Sequence, residues 1–150
     1  MDIKMPTLVI VRGLPGAGKT TYAKRLCENT NKIVVGTRCH HFEADQYFEK
    51  NGEYVFDAGM LGVAHANCLI NVYNTLKSGD YCIIANTFTT YKEVQPYLNF
   101  DINYKIEIVS LTSNFKSIHG VPDDVYNLMK ERWETIDGET RYKIKEIKNA

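Results

Sequence analysis

The sequence has no excess charge of either sign and no long hydrophobic run. Its 18 lysines and arginines balance 18 aspartates and glutamates, so no overall field would draw the protein to nucleic acid or to an anionic membrane. The first residues include Asp2 and Lys4, and they contain no apolar stretch long enough for a signal peptide or a membrane span. We therefore expect a cytoplasmic protein without a membrane partner, in which any site for a polyanion is local.

The sequence also lacks a cysteine pairing pattern, internal repeats and low-complexity segments. Its four cysteines lie far apart and form no C-x-x-C pair: Cys27, Cys39, Cys68 and Cys82. Two of them fall in apolar periodic segments, so we expect reduced and mostly buried thiols. A length of 150 residues suits one domain over residues 1–150, with one sizeable core.

What the sequence does contain is a glycine-rich loop between a predicted strand and a predicted helix. The loop reads Gly13, Leu14, Pro15, Gly16, Ala17, Gly18, Lys19, Thr20, and Thr21 follows it. The glycines let the backbone form a tight ring of inward-pointing amides, and the helix adds its positive N-terminal end. In such a loop the lysine reaches the β- and γ-phosphates and the threonine hydroxyl binds Mg²⁺. We predict a nucleotide site over residues 13–21, with Lys19 catalytic and Thr20 a metal ligand.

Hydrophobic periodicity predicts that strands and helices alternate along the chain. Strands are expected at residues 7–12, 40–44, 81–85 and 106–111, and helices at 19–27, 60–77, 91–98 and 121–134. A further short strand at residues 32–35 is an alternative, and residues 137–150 are either a frayed tail or an edge element. This alternation predicts a three-layer α/β/α fold around a mostly parallel sheet of about four or five strands.

Ligands of such sheets bind at the carboxyl ends of the strands, where Asp45 follows the second strand. Its carboxylate has two functional roles open to it: it accepts a proton from an attacking hydroxyl, or it orders Mg²⁺ through water. The structural alternative is a cap on the short helix that follows. We interpret Glu43 as a polar strand-end residue rather than a second base. Asn86, Thr87 and the loop 112–120 should reach the same edge.

Other polar residues are weaker candidates for the site. Lys116 and His119 are the cations of the loop 112–120, which we interpret either as a lid that carries positive charge to the transferring phosphoryl group or as a solvated surface loop. Arg132 and Trp133 are candidates for contacting the nucleobase, with helix anchoring as the alternative for Trp133. His65 is expected on the sheet-facing stripe of its helix, as a hydrogen-bonded core residue.

A group of aromatic residues flanks Asp45. It consists of Phe42, Tyr47, Phe48, Tyr54 and Phe56, with a turn expected at Asn51-Gly52. Core packing of an insertion is the favoured interpretation, and stacking of bases is the alternative.

These motifs, taken in order, resemble those of the P-loop kinases related to the kinase domain of polynucleotide 5′-hydroxyl kinases, which share a broader group with zeta-toxin-like kinases. The resemblance rests on V-x-V-R-G-L-P-G-A-G-K-T-T at 9–21, A-D-Q-Y-F at 44–48, G-E-Y-V-F at 52–56, L-G-V-A-H-A-N-C at 61–68, N-T-F-T-T-Y-K-E-V-Q-P-Y at 86–97, H-G-V-P at 119–122 and M-K-E-R-W-E at 129–134. It implies a P-loop NTPase fold that uses ATP and Mg²⁺ to phosphorylate a hydroxyl of a nucleic acid, either a polynucleotide 5′-hydroxyl or a modified base, or of a nucleoside. By the same resemblance, Asp45 matches the general base and Lys116 roughly a lid arginine.

The chain departs from the family pattern in three places. By the resemblance, members of the family commonly carry an acidic residue where this chain has Ala85-Asn86-Thr87, an arginine where Phe48 stands, and lid arginines where this lid offers only Lys116. Two other functions therefore stay open: a catalytically weakened nucleotide-binding adaptor or switch, and a small-molecule or nucleoside monophosphate kinase, for which Arg38 and Arg132 are the candidate acceptor-binding cations. The sequence leaves open the acceptor, the choice of ATP over GTP and the oligomeric state.

Overall fold

The computed structural model describes residues 5–34, 36–115 and 121–144 of the chain. Its strands are β1 (Thr7–Gly13), β2 (Cys39–Phe42), β3 (Glu49–Lys50), β4 (Glu53–Tyr54), β5 (Tyr81–Asn86), β6 (Lys105–Leu111) and β7 (Thr140–Tyr142). Its α-helices are α1 (Lys19–Ile33), α2 (Leu61–Lys77), α3 (Tyr91–Val94) and α4 (Asp123–Arg132). Short 3₁₀ helices lie at Ala44–Phe48, Ala58–Met60 and Gln95–Tyr97.

A five-stranded sheet in the order β2-β5-β1-β6-β7 forms the centre of the molecule. Every neighbouring pair in it is parallel. The ends of the strands coincide, because Arg12 at the end of β1 is paired with Asn86 of β5, and Gly13 with Leu111 of β6. The predicted three-layer α/β fold with a parallel sheet is confirmed.

The alternation of side chains along β1 separates two hydrophobic cores. Leu8 and Ile10 pack with buried residues of α2 on one face of the sheet, while Val9 and Val11 pack with Ala23 of α1 on the other. Successive strand residues point to opposite faces, so a continuous apolar strand is covered by a helix on each side. The layer order is therefore helix, sheet, helix.

Helix α1 is longer than its sequence pattern indicated. It was expected to end near Cys27, with Asn29 to Asn31 as its stop, and it continues to Ile33. The Asn31 side chain accepts a hydrogen bond from the Cys39 backbone N–H at 2.7 Å and donates to the Cys39 carbonyl at 3.2 Å. This tertiary contact overrides the local helix-stop signal, and it puts residues 32 and 33 in a helix rather than in the alternative short strand.

Two predictions about helix faces were wrong. His65 is exposed, because the buried stripe of α2 runs through Ala64, Cys68, Val72 and Leu76, and a neighbour in sequence is turned by about 100° from it. On α4, the apolar spacing of Val125, Leu128 and Met129 predicts an inward face, but Leu128 is 61% exposed. Val125 of the same helix is also exposed. Apolar periodicity marks one face of a helix without showing what that face contacts.

The aromatic segment after Asp45 folds into a β-hairpin. β3 and β4 pair antiparallel, and the turn predicted at Asn51-Gly52 is present with positive φ angles of 52° and 80°. Positive φ at both central residues matches the right-handed twist of a hairpin. Residues 140–142 form the edge strand β7 beside β6, as the edge-element alternative for residues 137–150 predicts, while residues 145–150 of that range lie outside the described residues.

The four thiols are free, and three of them are buried. Burial raises the pKa of the Cys68 thiol to about 11, which keeps it protonated near neutral pH. Within the parts of the chain that the structure describes, no helix has both the length and the apolarity that crossing a bilayer requires.

Candidate active site

The glycine-rich loop forms a closed turn at the carboxyl end of β1. The Ala17 backbone N–H donates to the Leu14 carbonyl at 3.0 Å, and Gly16 and Gly18 have φ angles of 86° and 90°. A Cβ atom on Gly13 would lie 2.9 Å from the Cβ of Ala17, so this glycine is required by close approach rather than by its φ. The backbone therefore has the glycines where its geometry needs them.

Helix α1 begins directly after the loop and lacks acidic residues in its first turn. Lys19, Thr20 and Thr21 are its first residues, so the positive end of the helix adjoins the loop. The Tyr22 backbone N–H donates to the Gly18 carbonyl at 3.0 Å, which starts the helical hydrogen bonding. This is the arrangement that favours anion binding at a helix N-terminus.

Among the residues described, Lys19 lies close to two carboxylates and forms no direct ion pair. Its Nζ donates to the Leu14 carbonyl at 3.1 Å. Burial lowers the pKa of Lys19 to about 8, and the charges of Glu43 and Asp45 oppose that shift. The lysine is thus a desolvated cation whose charge is only partly compensated in the free protein, and an anion in the loop would supply the missing compensation.

Glu43 contacts the threonine of the loop. The Thr20 hydroxyl donates to Glu43 Oε1 at 2.7 Å, and His41 Nε2 lies 2.7 Å from Glu43 Oε2. The Glu43 side chain is 10% exposed. Our interpretation of Glu43 as a polar strand-end residue missed this contact. The available signal was its place at the end of β2, which parallel topology brings to the same edge as the loop.

Asp45 lies two residues further on, in the 3₁₀ helix Ala44–Phe48, and it is exposed. Its Oδ1 accepts a hydrogen bond from the Tyr54 hydroxyl at 3.2 Å. Burial, and then the Asp45 charge, raise the pKa of Tyr54 to about 12. Glu43, not Asp45, caps the 3₁₀ helix, so the capping alternative for Asp45 is wrong and its carboxylate faces the hairpin.

Asn86 supports the chain between these two carboxylates. Its Oδ1 accepts a hydrogen bond from the Ala44 backbone N–H at 2.9 Å, and Ala44 stands between Glu43 and Asp45 in sequence. Asn86 is buried, and among the residues described its Nδ2 has no hydrogen-bond partner. At this point of the sheet edge an amide therefore fixes the backbone from which both acids project.

The aromatic residues beside Asp45 divide into a buried member and an exposed rim. Phe48 is 2% exposed, and its ring centroid lies 5.1 Å from that of Phe56 and 6.3 Å from that of Tyr54. Tyr54, Val55 and Phe56 are exposed, Phe56 to 52%. Core packing describes Phe48, whereas the hairpin presents an open apolar surface on the side of Asp45.

Arg12, which the sequence analysis did not select, is completely buried immediately before the loop. It donates to the Phe88 and Thr89 carbonyls and to Glu139 at 2.7 Å. Its guanidinium lies 3.9 Å from the ring centroid of Trp133. Trp133 thus anchors the end of α4 against the loop's strand. Only its place next to Gly13 marked Arg12 in the sequence.

The remaining predicted site residues have mixed outcomes. The Phe115 backbone N–H donates to the Gly16 carbonyl, so the segment after β6 starts at the loop as predicted, while Lys116 and His119 lie outside the described residues. Arg132 Nε donates to Thr89 Oγ1 at 3.2 Å. Arg38 precedes β2, and its carbonyl accepts from the first residue of β5, which puts it at the sheet edge opposite the glycine-rich loop.

A metal ion would need ligands beyond protein carboxylates here. Across residues 5–34, 36–115 and 121–144, no group of three or more His, Cys, Asp or Glu side chains is arranged to hold one. The Thr20 hydroxyl and the nearby carboxylate are hard oxygen donors of the kind that suits Mg²⁺, which usually takes its other ligands from substrate phosphates and water. The residues present fit Mg²⁺ in that mode.

A parallel sheet with a glycine-rich loop after β1, a Lys-Thr pair at the start of α1 and acids at the end of β2 defines the P-loop kinase fold. Residues 8–114 match the family model described as an AAA domain, and the chain belongs to that family. The match covers more than half of the chain and confirms the resemblance drawn from the motifs.

Three known proteins illustrate the likeness. Human NEDD4-binding protein 2 is 31% identical over 142 residues, and the match covers 85% of this chain but only 8% of that protein. The Mycobacterium tuberculosis APS kinase CysC, solved with AMPPNP and APS, is 11% identical with a TM-score of 0.66 over 95% of this chain and 91% of its own. A chain of the Pnkp1/Rnl/Hen1 complex is 16% identical with a TM-score of 0.57 over 85% and 40%. At these identities the solved structures show the fold alone.

Proposed function

We propose that the protein transfers the γ-phosphate of ATP, with Mg²⁺, to a hydroxyl of a nucleic acid, either a polynucleotide 5′-hydroxyl or a modified base, or of a nucleoside. The observation that carries this proposal is the convergence of Lys19, Thr20, Glu43 and Asp45 at one edge of the sheet, next to the glycine-rich loop. The APS kinase of the same fold was solved with the nucleotide analogue AMPPNP, which supports nucleotide as the phosphate donor.

The proposed roles follow from position. The amides of residues 13–18 and the start of α1 hold the phosphates, and Lys19 contacts the β- and γ-phosphates. Asp45 accepts the proton of the acceptor hydroxyl while the hydroxyl oxygen forms a bond to the γ-phosphorus. The bond between the γ-phosphorus and the β–γ bridging oxygen breaks, and ADP leaves. Arg132, close to Thr89, stays a predicted nucleotide-binding residue, and Lys116 a predicted catalytic cation.

Thr20 would hold Mg²⁺ through its hydroxyl, together with phosphate oxygens. The ion, when bound, neutralises charge on the phosphates and so favours attack by the acceptor. The fit rests on the oxygen donors beside the loop, Thr20 and the Glu43 carboxylate.

The hairpin supports an acceptor that carries a base. Three residues of this region are exposed, namely Tyr54, Val55 and Phe56. Tyr54 is hydrogen-bonded to Asp45, so apolar surface lies next to the proposed catalytic carboxylate. Stacking of a nucleobase on an aromatic ring contributes about 1–3 kcal/mol and tolerates any base. A chain of the Pnkp1/Rnl/Hen1 RNA repair complex shares the fold, which is consistent with a nucleic acid as the acceptor.

The test is transfer of labelled γ-phosphate from ATP to a panel of 5′-hydroxyl oligonucleotides, nucleosides and DNA with hydroxymethylated bases. Asp45→Asn should lower the rate about 10²–10⁴-fold, since it removes the general base, while it leaves AMPPNP affinity within a few-fold. Asp101→Asn, an exposed aspartate outside the site, is the matched control. Full activity of Asp45→Asn on every acceptor would show that Asp45 is not the base.

A second candidate function is a nucleotide-binding adaptor or switch with weak catalysis. Asn86 favours it, because an amide that supports Ala44 stands where relatives carry an acid. Tight binding of MgATP by the wild type without transfer to any acceptor in the panel would support the adaptor. Turnover with any acceptor that Asp45→Asn abolishes would exclude it.

A further inference from the structure

We propose that Glu43 is the positioning residue of the metal site: it holds the Thr20 hydroxyl so that the oxygen is free to bind Mg²⁺, and it supplies the carboxylate that the chain lacks at residues 85–87. The inference rests on the proposed function, because it assigns a role within the same nucleotide site. Its test has separate outcomes for the inference and for the proposed function.

The first observation is the direction of the hydrogen bond between Thr20 and Glu43. The Thr20 hydroxyl donates its proton to Glu43 Oε1 at 2.7 Å. A hydroxyl has one proton and two lone pairs, so donation to Glu43 leaves the lone pairs of Thr20 Oγ1 available to a cation. An ionised acceptor also makes this hydroxyl oxygen a better ligand, in the way that outer carboxylates orient and tune the ligands of metal sites.

The second step is that the Glu43 carboxylate is held in place from several sides. His41 Nε2 lies 2.7 Å from Oε2, and the side chains of His41 and Glu43 are 9% and 10% exposed. The backbone of Glu43 is fixed as well, because its N–H donates to Gln46 Oε1 and its carbonyl accepts from the Gln46 N–H, both at 3.2 Å. A carboxylate with a fixed orientation can hold a ligand, whereas a mobile surface acid contributes little.

The third observation is that the neighbouring acid, Asp45, is directed toward the hairpin. Asp45 is exposed and accepts a hydrogen bond from Tyr54, while Glu43 is buried against Thr20. The Asn86 amide fixes Ala44 between them. Environment thus separates two carboxylates into two roles: Asp45 serves the acceptor and Glu43 the metal. Asn86 thus helps to orient both carboxylates.

The experiment measures how much Mg²⁺ strengthens nucleotide binding, independently of turnover. AMPPNP affinity is determined by calorimetry with Mg²⁺ and with EDTA, for the wild type and for Glu43→Gln. We expect Glu43→Gln to lose about 10- to 100-fold of the gain due to the metal, the usual effect of removing an outer partner of a metal ligand. Affinity in EDTA should stay equal or rise, because a negative charge near the phosphates is removed.

Two variants serve as comparisons. Glu53→Gln makes the same charge change on the exposed hairpin and should keep the full metal-dependent gain. Asp45→Asn should also keep it, since its carboxylate faces the hairpin. If Asp45→Asn loses the metal-dependent gain in affinity and Glu43→Gln keeps it, Asp45 rather than Glu43 serves the metal, and the inference is overturned.

The remaining outcomes also decide the matter. If the wild type binds no AMPPNP at all, the proposed function itself fails. Suppose that the wild type binds AMPPNP more tightly with Mg²⁺. If Glu43→Gln shows the same gain, or if its affinity falls by the same factor in EDTA as in Mg²⁺, Glu43 is only structural. The inference is then overturned, while the proposed function stands. If thermal melting shows that Glu43→Gln does not fold, Glu43→Asp replaces it: a carboxylate drawn back by one methylene should lose several-fold of the gain, and full retention overturns the inference.

Discussion

At the scale of single residues, the identity of the loop's side chains was readable from the motif, whereas their charge states and contacts were not. The sequence identified Lys19, Thr20 and Asp45 as candidates. It did not show that Lys19 is desolvated or that Glu43 meets Thr20, because Thr20 and Glu43 are 23 positions apart. Contacts across such a separation depend on how α1 and β2 pack, which no local pattern encodes.

The desolvated lysine leads to a prediction about stability and pH. The pKa of Lys19 is lowered in the folded protein from 10.5 to about 8. Between these pH values the unfolded chain binds more protons than the folded protein, so the free energy of unfolding increases as the pH rises. Below about pH 8 the buried charge opposes folding. Lys19→Met should therefore be more stable than the wild type at about pH 7.5 by roughly 1–3 kcal/mol, and the difference should shrink toward about pH 10.

Urea denaturation at several pH values measures this difference, without nucleotide. Lys24→Met, on the exposed side of α1, is the control and should show no such trend. A Lys19→Met protein that is less stable than the wild type at neutral pH would mean that the charge is compensated in the free protein. In either case Lys19→Met should no longer be stabilised by AMPPNP.

At the scale of elements, β1, β5, β6 and the long helix α2 were predicted closely, whereas the hairpin strands β3 and β4 and the end of α1 were not. β1 and β5 are largely continuous apolar runs, a local signal that the buried parallel strands use directly, and β6 has apolar residues at 106, 108, 109 and 111. The end of α1 depended instead on the bonds of Asn31 to Cys39. The direction of the apolar face of α4 likewise depended on its neighbours.

The extended end of α1 leads to the second prediction. Asn31→Ala removes two side-chain hydrogen bonds to the first residue of β2 and should lower the free energy of unfolding by about 1–2 kcal/mol, even though alanine is the better helix former. Asn29→Ala, an exposed asparagine of the same helix, should be neutral or slightly stabilising. Chemical denaturation monitored by circular dichroism compares the two; equal stability of both variants would contradict the role given to Asn31.

At the scale of the whole molecule, one buried arginine connects parts of the chain that are distant in sequence. Arg12 at the end of β1 binds the segment after β5 and the Glu139 carboxylate, and it stacks on Trp133 after α4. The chain segments that surround the glycine-rich loop are thus joined at one point. Composition and periodicity gave no sign of this, since a lone arginine is usually a surface residue.

The third prediction concerns this connection. Arg12→Met should lower the free energy of unfolding by about 3–5 kcal/mol, because it removes the buried partner of Glu139, whose side chain is 3% exposed, and leaves only the longer contact with the exposed Arg141. Arg141→Met removes the exposed cation near the same glutamate and should cost less than about 1 kcal/mol. Adding Glu139→Gln to Arg12→Met should restore part of the loss. A double-mutant cycle in urea measures this coupling, and additive losses would refute it.

The sequence by itself determined the class of protein: a strand, a glycine-rich loop with Lys19 and Thr20, a helix, and further strands that alternate with helices. These are local features, since each depends on residues within a few positions of one another. Tertiary structure alone decided that Glu43 meets Thr20, that Asp45 faces the hairpin through Tyr54, and that Arg12 is buried. The physical reason is that parallel strands bring residues far apart in sequence to one sheet edge, and their environments there, rather than their identities, set their roles.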